Sequence, residues 1–550
     1  MASERHQHVH DQVYGLIELG EPWYQLLNNP WIQRLRRIKQ TGPLFLVFPG
    51  CEHTRFSHTV GVLHLMRRLR RSLEGVEPPV DRPTPYEWLV FELAALLHDA
   101  GHLPFSHTIE GVVASLVCEG TGDANVSARV SLYDPGAGTN LVALDSLDPG
   151  QLLRVAGLLS PVREKYHEQL AAIPCRRVLL SKGGQDAVRQ LASLEGIDAD
   201  LPADPKELAE EVASAIWNSV GPNGVVNPLK NTIDVDRLDY IQRDSICAGL
   251  HYGRVALDHV LAHVGVASHV QVATDAGAKP NILPATALAF QLKRLHVLEH
   301  LVLSRYALYT NVMSHPTNLG WDAMLRGLIL GLLGSDEELR GALAYPEESL
   351  EDEDRLHLLT DGYIECRIAR CASRDPGLLG HLARAWRSRS SPTLAWGYSR
   401  LIRATSGPKR QRVTFRLCEA LGEVVEEDLR PFAFASTYTV RVLPEEDGQG
   451  IERTACVLNG EVAVPIQDRP ESLLYQLRAD VLVTSRVYVW GPAGMLERDD
   501  LVRRIGEHAI LFQHVVDREL DASCAPRSEQ ALQGSHDGGA TSPAHATTEG

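Results

Sequence analysis

Residues 89–110 read LVFELAALLHDAGHLPFSHTIE. The apolar run Leu93-Ala94-Ala95-Leu96-Leu97 predicts a buried helix. Gly101 and Pro104 mark its end, because glycine closes helices and proline cannot continue one. His98 and Asp99 therefore stand side by side where an apolar helix stops. Burying an ionised aspartate there is costly unless something pairs with it. A metal ion is a partner that also accounts for the histidine. A core histidine beside a capping aspartate is the plainer reading, and an isolated pair would carry it.

Upstream, CEHTRFSHTVGVLHLMRRLRR (51–71) sets Val62, Leu63, Leu65, Met66 and Leu69 at helical spacing. His53, Arg55, His58 and His64 lie on or near that helix. GPLFLVFPG before it is an apolar loop or short strand. Residues 12–29 predict a short strand or turn and then a helix, and Pro30 suits the first turn of the next one, WIQRLRRIKQ. Its basic run, Arg34, Arg36, Arg37 and Lys39, is either a solvated face or an anion site.

Downstream, Ser106 is suited to cap a helix on which His107 and Glu110 stand three apart, so their side chains meet. Residues 119–150 are rich in Gly, Asp and Ser and read as an irregular insertion. Residues 151–230 are mainly helical, with a loop at 198–206. His167 falls in the first of these helices, without the second histidine of a zinc-protease helix. In NTIDVDRLDYIQRDSICAGLHYG (231–253), Asp236, Tyr240 and Asp244 are each four apart, with Arg243 beside them, and Ile233, Leu238 and Ile241 form an apolar face. The polar face is either solvated or turned into a polar cavity. Long helices are expected over 284–334, with Arg305, Tyr309, Met313 and His315 on related faces, and helix continues to 428. FAFASTYTVRVLP, ERTACVLNG, EVAVPIQ and VLVTSRVYVW then predict a small sheet, and LVRRIGEHAILFQHVV a closing helix. From about 521 the composition is that of a disordered tail.

The bulk properties narrow the function. A chain of 550 residues, 44% hydrophobic and 23% charged, can build a large globular core in two or more domains. The sequence holds no apolar run of 18 residues and no signal-peptide core, so no membrane segment is expected. Nine cysteines without a CxxC pair suit a reducing cytoplasm, the expected location. A net charge of −16 disfavours indiscriminate nucleic-acid binding.

The pair at 98–99 is not isolated. His58, His98-Asp99 and Asp236 come from three helices, and two imidazoles with two carboxylates suit Mn, Mg, Fe or Zn. Such a centre polarises phosphoryl oxygens and lowers the pKa of bound water. His107 with Glu110 has the form of an oriented acid/base pair, and Arg55, His102, Arg237 and Arg305 could neutralise a polyphosphate.

The H…HD…D pattern resembles the HD-domain phosphohydrolases. The stretches IQRLRRIKQTG, VFPGCEHTRFSHTVGV, LLHDAGHLPFSHTIE, YHEQ and IDVDRLDYIQRD resemble in particular the deoxynucleoside triphosphate triphosphohydrolases, both bacterial dGTPase-like enzymes and the animal sterile-alpha-motif and HD-domain enzyme. The matches run in order through most of residues 10–320, and few residues precede them to hold a sterile-alpha-motif domain. The resemblance implies a mainly α fold, with an HD helical core over 1–334, an insertion at 119–150, a smaller C-terminal α+β region over 335–520 and a tail over 521–550. It implies metal ligands at His58, His98, Asp99 and Asp236, and a catalytic His107 that protonates the leaving 5′-oxygen, with Glu110 as its acidic partner. His102 and His167 join that catalytic group. Arg55, Arg237, Tyr240 and Arg305 surround triphosphate and sugar, Gln40 and Asp244 read the 3′-hydroxyl, and Tyr309 and Met313 belong to the same substrate set. Gln33 and Arg36 match part of an activator-nucleotide site at a subunit interface. Asn28 stands where the animal enzyme has an aspartate that selects guanine, which implies an activator other than GTP. Met313 replaces a tyrosine packed on the deoxyribose, and Thr41 replaces a leucine.

The expected activity is hydrolysis of a dNTP to deoxynucleoside and triphosphate by a dimer or tetramer, with antiviral defence by dNTP depletion as the role the resemblance suggests. One rival is an HD hydrolase acting on a nucleic-acid strand, a cyclic dinucleotide or a guanosine polyphosphate. The cyclic-dinucleotide subclass carries a Gly-Tyr-Pro signature that this sequence lacks. The other rival is a nucleotide sensor that binds without cleaving, and the intact set His58, His98, Asp99, Asp236 and His107 speaks against it.

Overall fold

The computed structural model describes residues 7–74, 82–119, 127–134, 138–144, 147–159, 166–218, 221, 225–230, 234–272, 281–403, 410–443, 456–459, 462–466, 469–477, 480–491 and 498–522. The fold is mainly helical. At its centre lies the helix Pro85–Leu97, every residue of which from Glu87 onward is buried. An all-round apolar helix can only be an interior one. Its start is fixed by a capping box, in which Thr84 accepts from the Glu87 amide and Glu87 reaches back to the Thr84 amide, with Pro85 in the first turn. The helices Arg55–Glu74, Pro205–Trp217 and Val235–Cys247 pack around this core.

Among the described residues the strands form four small sheets. Strands β1 (Gln7–Asp11) and β2 (Gly15–Leu19) form a hairpin whose turn needs the positive φ that Gly15 supplies. The expected irregular insertion instead holds two strands, β4 (Ser127–Asp134) and β5 (Gly138–Ala143), which form an antiparallel sheet with β3 (Leu116–Glu119) just before it. The alternation Val130–Ser131–Leu132 was masked by the surrounding glycine and aspartate. Residues 120–126, 135–137 and 145–146 of that insertion, and 523–550 of the expected tail, lie outside the described residues.

Two further expectations are corrected. Residues 284–291 belong to strand β7 (Asn281–Gln291), paired with β6 (Val264–Val272), and not to a helix. Residues 393–403 form strand β8 (Thr393–Arg403) inside a stretch expected to be helical. Leu and Ala in β7 favour helix locally, but pairing on both edges decides the outcome. After β8 come β9 (Ala433–Arg441), β10 (Cys456–Asn459), β11 (Val462–Pro465) and β12 (Asp480–Val489). β12 is the middle strand of the antiparallel sheet β8-β12-β9, and its inner face packs on the helices Arg410–Val424 and Ala509–Asp521. β10 and β11 pair in parallel with β7 and β6 and close a four-stranded barrel. The loop-or-strand stretch at 42–46 coils into a short 3-10 turn. Among the described residues no helix is long and apolar enough to cross a membrane.

Candidate active site

Three helices deliver the sequence-expected ligands to one point. His58 projects from the helix Arg55–Glu74, His98 and Asp99 end the central helix, and Asp236 sits in the first turn of Val235–Cys247. His58 Nε2 lies 3.3 Å from His98 Nε2, 3.1 Å from Asp236 Oδ1 and 3.7 Å from Asp99 Oδ2. Asp99 Oδ1 is 3.3 Å from His98 Nε2. His58, His98 and Asp99 are almost fully buried.

The tautomers follow from the partners. His58 Nδ1 donates to the Asp239 carboxylate at 2.7 Å, and His98 Nδ1 donates to the Ala95 carbonyl at 2.9 Å. In their neutral forms both rings therefore aim an Nε2 lone pair at the same spot, an arrangement relieved by a bound cation or by a proton that His58 Nε2 shares with Asp236. Burial opposes a proton on His58, but hydrogen bonds to Asp236 and Asp239 outweigh it and push its pKa up to about 10. Burial also opposes charge on Asp99, yet Arg55, His98 and His102 hold its carboxyl well below the usual range. The donor set thus fits a divalent ion in both ligand type and field.

Behind it stands a network that the sequence reading missed. Asp239 accepts from Arg243 Nε at 2.8 Å and from the Tyr14 hydroxyl at 2.8 Å, and Arg243 reaches Asp11 at 2.7 Å. Arg243 is thus fully buried in this brace and does not share the cavity face with Asp236. The available signal was Asp239 one turn after Asp236. Gly61 leaves the space, since a Cβ there would collide with Asp239 and Arg243.

A second group adjoins the first. Glu110 accepts from His107 Nδ1 at 2.7 Å with one oxygen, and from His167 Nδ1 at 2.8 Å and the His167 amide at 2.9 Å with the other. Burial works against its charge, but His167 and His107 hold its carboxyl far below the usual range. His102 stacks on His167 with ring centroids 3.8 Å apart, and its Nε2 is 3.2 Å from Asp99 Oδ1. His107 alone of the group is open, its side chain 61% exposed, with Nε2 left for a ligand.

The turn before His107 is strained. Phe105 and Ser106 both have positive φ, 52° and 54°, which costs a non-glycine residue on the order of 1–3 kcal/mol. Ser106 does not cap the helix as expected. Its hydroxyl donates to the Lys39 carbonyl at 2.7 Å and accepts from Arg55 Nε at 2.9 Å. Asp361 holds the same turn by accepting from the Phe105 amide at 2.7 Å and the Lys39 amide at 2.9 Å. Arg34 of the basic run is no solvated residue: it is buried and donates to the carbonyls of Ala100, His102 and Leu359.

One cavity of about 520 Å³ faces both groups. Gln40, Arg55, Asp99, His102, His107, His167, Asp236, Arg237, Tyr240, Asp244, Arg305, Tyr309 and Met313 line it, so the expected substrate residues share one cavity. His58, His98 and Glu110 stand behind its wall. Asp244 is tied to His53 at 2.7 Å, and Arg305 stacks 4.6 Å from the Tyr309 ring. The wall also contains Asp322, Arg326, Arg410 and Tyr438, none of which the sequence reading named. Asn28, Gln33 and Arg36 are not in this cavity. Asn28 is exposed at the end of the helix Glu21–Leu27, while Arg36 donates to Gln33 at 2.8 Å and covers the Phe56 ring.

The HD domain family model matches residues 55–129, the segment that carries His58, the His98-Asp99 pair and His107. Over 325 residues the chain is 25% identical to the uncharacterized Bacillus subtilis (strain 168) protein YwfO, covering 59% of this chain and 53% of that one. It is 31% identical over 234 residues to deoxynucleoside triphosphate triphosphohydrolase SAMHD1 of Gallus gallus, covering 42% of this chain and 33% of that enzyme. The Homo sapiens enzyme of the same name is 40% identical, with 43% and 32% covered. The matches thus span about half of the bacterial relative and a third of the animal ones. In fold, a phosphohydrolase of Bacteroides thetaiotaomicron superposes with a TM-score of 0.53 at 18% identity, over 88% of this chain and all of that one. Residues 55–129 thus carry the match to an HD domain. The chain's sequence is similar to the deoxynucleoside triphosphate triphosphohydrolases.

Proposed function

We propose that this chain is a metal-dependent phosphohydrolase that converts a dNTP and water into deoxynucleoside and triphosphate. The observation that carries this is the meeting, at one cavity, of the His58–His98–Asp99–Asp236 donor set with the His107–Glu110 pair and the cations Arg237 and Arg305. A divalent ion in the donor set would polarise a phosphoryl oxygen and acidify water. The protein's own groups do the rest. Arg237 and Arg305 offset the charge of the polyphosphate, while Arg55 clamps Asp99 to Ser106 and so fixes His107 one residue on. Water adds to the α-phosphorus, the bond to the 5′-oxygen breaks, and His107 Nε2 gives that oxygen its proton. Glu110 holds His107 Nδ1 and so orients the ring with Nε2 toward that oxygen. His167 and His102 are positioning residues, keeping Glu110 and Asp99 in place.

Activation by a nucleotide at Asn28, Gln33 and Arg36, assembly as a homo-oligomer, and antiviral defence through dNTP depletion belong to the same reading and rest on the sequence resemblance. The test is to incubate the full chain with Mn or Mg and each dNTP or NTP, and to identify products by mass. Intact triphosphate with deoxynucleoside is expected, and pyrophosphate or orthophosphate as first product would refute the reading. Asp236→Ala should lose both metal, by elemental analysis, and turnover.

A further inference from the structure

The cavity does not stop at the histidines. Beyond His107 its wall continues with Thr108, whose hydroxyl donates to Asp322 Oδ1 at 2.6 Å. Asp322 Oδ2 in turn pairs with Arg326 at 2.8 Å. Arg410, the first residue of the helix Arg410–Val424, arrives at the same place from the C-terminal region. Arg410 and Arg326 donate to one carbonyl, that of Leu159, at 3.4 and 3.3 Å. Tyr438 of β9 completes this end, close enough to Tyr309, Arg410, Arg305 and Asp322 to feel their charges.

The donors here exceed the acceptors. Asp322 neutralises Arg326, but Arg410 has no carboxylate partner among the described residues. Burial and the neighbouring Arg326 lower its pKa to about 10, so it stays charged at neutral pH. Arg326 Nε is also buried without a hydrogen-bond partner. A ligand at this end must bring acceptors. The polyphosphate is served by Arg237 and Arg305 in the proposed reaction, which leaves Arg410 for acceptors elsewhere on the substrate. An aromatic face beside a guanidinium suits a flat, acceptor-bearing ring.

Orientation says which ring. The inference rests on the reaction proposed above: His107 protonates the 5′-oxygen, so the nucleoside lies on the His107 side, toward Thr108 and Asp322. We propose that Arg410, supported by Arg326, Asp322 and Tyr438, is a specificity-determining residue that reads the nucleobase and favours keto bases. A guanidinium donates to O6 and N7 of guanine in parallel, or to O4 of thymine. Adenine and cytosine present an amino donor at that edge, which would face Arg410 unpaired.

The test is equilibrium binding of dGTP, dTTP, dATP and dCTP to the full chain in calcium buffer, repeated with Arg410→Gln and Arg410→Lys. Wild-type protein should bind dGTP about tenfold or more tightly than dATP, with dTTP ahead of dCTP. Both variants should erase that order, because lysine keeps the charge but loses the fork. Equal binding of all four by wild type would overturn the proposal. So would a uniform loss in Arg410→Gln that Arg410→Lys restores, the mark of a phosphate contact. A base preference without triphosphate release would refute the proposed function and leave the subsite standing, whereas no binding of any dNTP would overturn both.

Discussion

At the scale of single residues, two side chains test the proposed division between metal binding and proton transfer. His107 touches none of the four donors, and its only described side-chain hydrogen bond is to Glu110. His107→Ala should therefore keep full metal content and lose turnover by about 10²–10⁴-fold, the usual contribution of a general acid. A near-normal rate in a variant that still holds metal would show the residue to be structural. Asp239 acts from behind, fixing His58 Nδ1 as the donor. Asp239→Asn should weaken metal affinity about 10–100-fold, as loss of a partner behind a ligand generally does. Metal titration reads this directly, and unchanged affinity would mean the ring is held by packing alone. The two residues differ in how visible they were in the sequence. His107 stands three before Glu110, a spacing that announces itself, whereas Asp239 is one more acidic residue in IDVDRLDY until the helix turns it toward His58.

At the scale of elements, helices were legible and their junctions were not. The apolar run before His98 and the period of the 51–71 stretch lead straight to two buried helices, because burial and periodicity are properties of the segment itself. Strands β7 and β8 were missed because β10 and β12, which pair with them, lie far along the chain, and a strand takes much of its stability from its neighbours. The strained turn at Phe105–Ser106 was hidden for the same reason: its braces, Asp361 and Arg34, are remote in sequence. Asp361 makes that brace sensitive to pH. Burial raises its carboxyl from 3.8 to about 6, against the two amides that favour its charged form. A carboxyl raised in the fold stabilises the protein below its unfolded value, near 4, and loses that contribution as pH climbs through 6. The shift corresponds to roughly 3 kcal/mol. Wild-type stability should therefore lose this increment between pH 4 and pH 6 relative to Asp361→Asn, in denaturant titrations at each pH. Identical slopes for the two proteins would exclude the assignment.

At the scale of the whole molecule, the barrel joins β6 and β7 to β10 and β11 across residue 334, where the sequence suggested a boundary. β9 and the helix Arg410–Val424 likewise reach back to line the cavity. The composition change after 334 was real, but composition reports local texture and not which surfaces meet. Gly157 is where this contact is tightest, since a Cβ there would collide with the Ala435 carbonyl of β9. Gly157→Ala should keep its metal, lose about 1–3 kcal/mol of stability as an overpacked site does, and bind nucleotide less well. Loss of metal in this variant would show that the C-terminal region supports the donor set as well.

The reaction itself is tested most directly by hydrolysing a dNTP in heavy-oxygen water and weighing both products. Attack on the α-phosphorus with His107 at the 5′-oxygen should place the label wholly in triphosphate and leave the deoxynucleoside unlabelled. Label in the deoxynucleoside, or in a released orthophosphate or pyrophosphate, would contradict it.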